Sequence, residues 1–83
     1  MYELYWKGKL LVFTWHIKEE LEKLGKYEGF VIYVLNKGKH ELVSKKQRKF
    51  NVFCPYKKKA LCLSYVVHED NIVLIHIKPV KRK

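Results

Sequence analysis

From Leu10 to Trp15 the chain reads Leu-Leu-Val-Phe-Thr-Trp, apolar and β-branched, and predicts a strand. The pattern then changes period. Ile17, Leu21 and Leu24 recur at i, i+4 and i+7 among Lys18, Glu19, Glu20, Glu22 and Lys23, which predicts an amphipathic helix with its acids early and a Lys late. Thr14 is placed to cap that helix and Gly25 to end it. Residues 27–37 admit two readings. Phe30-Val31-Ile32-Tyr33-Val34-Leu35 has strand propensity, while Val31, Val34 and Leu35 also fit one helical face stopped by Gly38. Local propensity favours the strand. Four β-prone runs follow: His40 to Ser44, Lys49 to Tyr56, Ala60 to His68 and Ile72 to Val80. The last two are nearly continuous in apolar residues, as central strands covered at least partly on both faces would be.

Register is also arguable. A three-residue loop Glu69-Asp70-Asn71, with Asn in the left-handed position, pairs His68 with Ile72, Tyr65 with Ile75 and Leu63 with Ile77. It places Ser64 opposite His76 and Cys62 opposite Lys78 on the other face. A two-residue loop would instead pair Tyr65 with Leu74 and Leu63 with His76. The preceding turn, Lys57-Lys58-Lys59, has neither Gly nor Asn. If all three residues form the loop, Tyr56 faces Ala60 and Cys54 faces Cys62.

Length and charge narrow the function classes. The 83 residues suffice for one domain, spanning 1–83, and are too few for a deep substrate cavity, so a site should lie on a groove or a sheet face. There are 18 Lys+Arg against 8 Asp+Glu, a net charge of +10. Such a field favours polyanions. All the basic residues except Arg48 and Arg82 are Lys, which meets phosphate as a point charge and so points to backbone-directed, sequence-tolerant binding. Lys and Glu enrichment with few Asn and Gln is equally the composition of a thermophile protein, where the charge serves stability and solubility. No apolar run approaches a membrane span and the first residues do not read as a signal peptide, so a cytoplasmic location with no membrane partner is expected. In that compartment Cys54 and Cys62 are expected as thiols rather than a disulfide.

Thr14-Trp15-His16, then Leu21, Gly25, Val31, Val34-Leu35 and Gly38, resemble the RelE/ParE-type toxin superfamily, nearest to its BrnT-like and uncharacterised small chains. The ending Asn71 to Arg82 is similar to the last strand and basic tail of those domains, so the resemblance covers roughly residues 10–82. It implies an α+β fold of order β-α-α-β-β-β, with two helices on one face of a twisted antiparallel sheet, and therefore a helix at 27–37 against local propensity. It also implies a toxin-like RNA-binding protein, a metal-free endoribonuclease in its active form, partnered by an acidic antitoxin. A monomer or weak homodimer is expected. Family members usually carry Arg where this chain has Glu20 and Leu24. The alternative is a non-catalytic nucleic-acid-binding or protein-interaction module, archaeal or viral, that keeps the toxin fold.

Metal-free RNA cleavage needs a group to take the 2′-hydroxyl proton, a cation for the phosphorane and an acid for the leaving oxygen. The resemblance puts these on the sheet face. The register puts His76 and Lys78 on one face, and the resemblance then implies His76 as acid/base with Lys78 or Arg82 as the phosphate clamp; Lys57, Lys58, Lys59 and Tyr56 are further candidates. A histidine merely bonded to Ser64 at the edge of the core is the competing reading. His16 could be a second acid/base, though capping the helix or buttressing the sheet is favoured for it, and His40 and His68 receive no role. Basic residues for nucleic-acid binding cluster at Lys45, Lys46 and Arg48, at Lys57, Lys58 and Lys59, and at Lys78, Lys81 and Arg82; Tyr56 and Phe53 interleave with the second cluster as stacking groups. Cys54, Cys62 and a nearby His fall short of zinc-site spacing, and no glycine-rich phosphate loop exists, so neither a metal nor a cofactor is expected.

Overall fold

A computed structural model describes residues 3–81. Eight elements follow one another: β1 (Tyr5–Trp6), β2 (Lys9–Phe13), α1 (Trp15–Leu24), α2 (Phe30–Lys37), β3 (Lys39–Ser44), β4 (Lys49–Tyr56), β5 (Lys59–Val67) and β6 (Asn71–Val80). The fold is α+β, with two helices and one six-stranded sheet in the order β1-β2-β6-β5-β4-β3. Two expectations change. The order β-α-α-β-β-β is short by two strands, because Tyr5–Trp6 pairs back on β2 across the Lys7-Gly8 turn and Lys39–Ser44 forms its own edge strand. The sheet is mixed rather than antiparallel, because β2 runs parallel to β6. A parallel pair needs a long crossover, and the two helices with β3 to β5 supply it.

Helix α1 forms as its periodicity requires. Thr14 accepts from the Ile17 amide at 3.3 Å and so caps the first turn. At the other end Gly25, with φ 70°, sends its amide to the Glu22 carbonyl while the Lys26 amide reaches Leu21 at 2.9 Å, satisfying carbonyls that the helix leaves open. Residues 30–37 are helical, with Tyr27 to Gly29 forming a lead-in turn. Strand propensity loses there because Val31, Val34 and Leu35 are all buried on one helical face, which an alternating strand cannot achieve. Gly38 stops this helix through close packing rather than left-handed backbone: a Cβ would press on the Val52 side chain and on the Val34 and Phe53 carbonyls, 2.8 and 2.9 Å away.

Ile17 and Leu21 of α1, the three α2 residues, and Leu11, Val52, Leu61, Leu63, Tyr65, Ile72, Leu74 and Ile77 form one buried cluster. The molecule is 20 Å thick in its thinnest direction, room for a sheet and one layer of helices. No helix among the described residues covers the opposite face, so β5 and β6 are not shielded on both sides as their composition suggested.

The sheet is curled. A flat one would separate β1 from β3 by five spacings, about 24 Å. Yet Trp6 of β1 stacks on His40 of β3 with ring centroids 5.5 Å apart, and its indole nitrogen donates to Asn36 Oδ1 at 2.9 Å. His40 is a structural histidine. Its Nε2 lies 2.8 Å from the Leu35 carbonyl, which can only accept, so Nε2 carries the proton and Nδ1 accepts from the Tyr65 hydroxyl at 2.7 Å. Burial pushes the Tyr65 phenol up from its ordinary value.

The β5–β6 register realises both alternatives. Leu63 faces Ile77, Ser64 faces His76 and Cys62 faces Lys78, as the three-residue loop requires. Nearer the turn Tyr65 faces Leu74 and Val67 faces Ile72, and a shift between Ser64 and Tyr65 joins the halves. The bulge exists because the buried positions of β6 change parity, from Ile72 and Leu74 to Ile77. The β4–β5 turn is also shorter than expected. Tyr56 pairs with Lys59 and Phe53 with Cys62, and Lys57 takes φ 54° in a two-residue turn. Cys54 and Cys62 therefore occupy opposite faces and are not neighbours.

Gly38→Ala should destabilise the fold by about 1–3 kcal/mol, read as a lower urea midpoint with an unchanged slope. Tyr65→Phe should lower stability by about 1–2 kcal/mol, because it leaves His40 Nδ1 without its donor.

Candidate nucleic-acid interface

The face free of helices is built from the strand positions that alternate with the core. Two rows of paired residues cross it. One runs Glu41, Asn51, Ser64, His76 from β3 to β6; the next runs Lys39, Phe53, Cys62, Lys78. Beside them lies a groove of about 630 Å³, with Phe53, Pro55 and Ala60 in its lining and Lys37, Lys39 and Lys81 around them. An aromatic ring and small apolar groups are thus ringed by flexible cations, with Glu41 the one acid of the lining.

His76 and Lys78 share this face as the register argument required, and Lys78 is exposed. His76 is not bonded to Ser64, whose hydroxyl donates to Asn51 Oδ1 at 2.7 Å. Its Nδ1 instead lies 3.5 Å from Glu20 Oε1 on α1. That separation is long for a hydrogen bond, and the same oxygen accepts the Ile77 amide at 3.0 Å. The geometry has a local cause. Strand β2 pairs with β6 only as far as Leu74, and α1 lies beside the remainder. Thr14 donates to the Leu74 carbonyl at 2.9 Å and Glu20 receives the Ile77 amide, so side chains of this helix close the open edge.

The sequence-derived basic clusters do not all meet. The Lys57-Lys58 turn, Lys59 and Lys81 lie at the groove end of the sheet, since Tyr56 pairs with Lys59 and Ala60 with Val80. Lys45, Lys46 and Arg48 form the turn at the other end of β4, eight residues or about 25 Å away. They border a separate groove of about 500 Å³ with Val67 and His68. Tyr56 belongs to the helical side, with its ring 6.3 Å from Phe30 and cations from Lys26 and Lys57 over it. The aromatic that lines the groove is Phe53. Arg82 lies outside the described residues.

Sequence reasoning missed Lys37, Lys39 and Glu20. Lys37 ends a helix that propensity read as a strand, Lys39 comes beside Phe53 only when β3 pairs there, and Glu20 stands out in the sequence only as a departure from the arginine of the resembled family. His16 stands with its ring centroid 5.1 Å from that of His76. It does not cap α1, which Thr14 does, and it meets the sheet through this contact with β6.

The thiols carry no site. Among the described residues no three His, Cys, Asp or Glu side chains are grouped so as to hold a metal ion. Burial raises both thiol pKa values above the ordinary range; at Cys62 Ser64 and Lys78 partly oppose that rise. No helix among the described residues is long and apolar enough to cross a membrane. Comparison with protein-family models, with curated proteins and with solved structures finds no match.

Both cysteines should resist alkylation at pH 7 in the native protein and react together on unfolding. Mass analysis without reductant should show two free thiols, Cys54 reacting more slowly than Cys62 in any partly protected intermediate.

Proposed function

We propose that this chain is a toxin-like RNA-binding protein that holds single-stranded RNA across the helix-free face of its sheet. The observation that carries the proposal is the groove around Phe53 edged by Lys37, Lys39 and Lys81, with Lys78 on the adjoining strand. Each component matches a need of the ligand. Lysines neutralise phosphates without reading bases, and an aromatic ring on an open sheet stacks any base. A path from the groove across β5 to β6 brings the backbone to His76 and Lys78, where an acid/base group and a phosphate clamp stand two residues apart. The resemblance of residues 10–82 to RelE/ParE-type toxins supports RNA as the ligand and adds an acidic antitoxin chain as partner. Glu20 and Leu24, in place of that family's arginines, weaken any antitoxin contact or catalysis that depends on those arginines; the alternative is a non-catalytic nucleic-acid-binding or protein-interaction module.

Filter binding or fluorescence anisotropy with a labelled single-stranded RNA tests the interface. Four lysine contacts to a single strand give a slope of log K on log salt of about −3. Lys78→Ala should flatten it by about 0.7. Phe53→Ala should weaken binding by about 1–3 kcal/mol with little dependence on sequence, whereas Lys18→Ala on the helical side should leave affinity within about twofold. Retention of full affinity by a Lys39→Ala, Phe53→Ala, Lys78→Ala triple variant rules the face out.

A further inference from the structure

Helix α2 buries Val31, Val34 and Leu35, and that face accounts for its place in the fold. A second stripe on the same helix, Phe30, Tyr33 and Lys37, is spaced i, i+3 and i+7, so its members are neighbours along the helix surface. Tyr33 is 51% exposed, and its ring is stacked on Phe30 with centroids 5.7 Å apart and planes 19° from parallel. Phe30 in turn meets Tyr56 of β4 edge to face at 6.3 Å. The Lys26 ammonium stands 5.0 Å from the Phe30 ring centre and 5.8 Å from that of Tyr56, and the Lys57 ammonium 5.4 Å from Tyr56. Phe30 and Tyr56 pack against the core and fasten α2 to β4, whereas Tyr33 takes no part in that packing. At its other end the stripe reaches the Phe53 groove, because Lys37 belongs to both. Lysine is depleted at the centres of protein interfaces. A half-exposed tyrosine set among Lys26, Lys37 and Lys57 therefore suits a base between phosphates better than a protein side chain.

We propose that Tyr33 is a second base-stacking position for single-stranded RNA, reached by the strand as it leaves the Phe53 groove past Lys37, with Lys26 and Lys57 neutralising its phosphates. The inference rests on the RNA-binding reading above and deepens it: the ligand becomes a strand long enough to span both rings. Phe30 fixes the plane of the Tyr33 ring, so little side-chain freedom is lost when a base stacks on the exposed side. Cation–π attraction holds the Lys26 ammonium against Phe30 and Tyr56, which places charge beside the stacking ring before the strand arrives. None of these groups reads base edges. The path therefore selects unpaired strand over duplex, whose bases are already stacked on one another, and length over sequence.

The test measures anisotropy of the full chain with fluorescent single-stranded RNAs of about four and about ten nucleotides and equal composition. The longer strand should bind more tightly, and its slope of log K on log salt should be steeper by about 1.4, from two further lysine contacts. Tyr33→Ala should weaken the longer strand by about 5- to 100-fold and leave the shorter within about twofold. Tyr33→Phe keeps the ring and should bind both strands as the wild type does. Lys57 is exposed, so Lys57→Ala reads the path without disturbing the core; it should flatten the slope for the longer strand by about 0.7 and leave that for the shorter in place. Equal affinity of the wild type for both lengths overturns the second position and spares the groove. So does equal weakening of both lengths by Tyr33→Ala. Full affinity of Tyr33→Ala for the longer strand overturns it as well and leaves the aromatic surface to a protein partner. Failure of both strands to bind the wild type overturns this position and the groove together.

Discussion

Strand β6 has two different neighbours along one edge, and the rest of the molecule is arranged around that change. As far as Leu74 it pairs with the parallel strand β2. Beyond it, the Thr14 hydroxyl takes the Leu74 carbonyl and the Glu20 carboxylate takes the Ile77 amide. An unpaired backbone group held away from water is strongly unfavourable, so α1 must lie where its side chains reach those positions. The helix is thereby fixed against the sheet by polar contacts at its rim and by Ile17 and Leu21 beneath it. The bulge between Ser64 and Tyr65 serves the same junction. It lets Leu74 point into the core where β2 ends and Ile77 point into it again beside α1, leaving His76 outside.

Burial is concentrated on one side of the sheet. A chain of this size cannot cover both faces, and here the helices and the curl marked by the Trp6–His40 stack enclose one of them. The uncovered face must remain compatible with water, and the rows Glu41-Asn51-Ser64-His76 and Lys39-Phe53-Cys62-Lys78 show how: polar and cationic groups surround the apolar ones. Phe53 and the groove lysines coincide at the end of the sheet where β3 begins and β6 finishes. The same requirement leaves lysines around an apolar centre on this face. The excess charge of the chain acquires a direction there, although the lysines of the β3–β4 turn lie at the far end and belong to no common cleft with it.

His16 and His76 meet at the rim because the helix that completes the sheet edge begins one residue after its cap. Their separation is thus tied to the fold rather than to a loop. His40 shows the contrast. It too contacts aromatic rings, but both its nitrogens are engaged by Leu35 and Tyr65, which leaves it nothing to offer a ligand.

What the amino-acid order determined by itself was local or periodic. Thr14 and Gly25 bound α1 because capping is decided within a turn, and His76 faces Ser64 because alternation fixes which residues share a side. The excess of lysine was enough to expect a polyanion, and the apolar runs were enough to place β2 and β4 to β6. Tertiary structure decided what depends on partners far along the chain. Residues 30–37 are helical because one buried face outweighs strand propensity, and Gly38 matters because Val52 lies against it. The parallel β2–β6 pair, the shift at Tyr65, the two-residue turn at Lys57 and the separation of Cys54 from Cys62 follow from which side chains fill one core, a choice that continuous apolar runs leave open. Glu20 beside His76 is the same kind of outcome: residues 56 positions apart become neighbours only because a strand runs out and a helix must satisfy the edge it leaves.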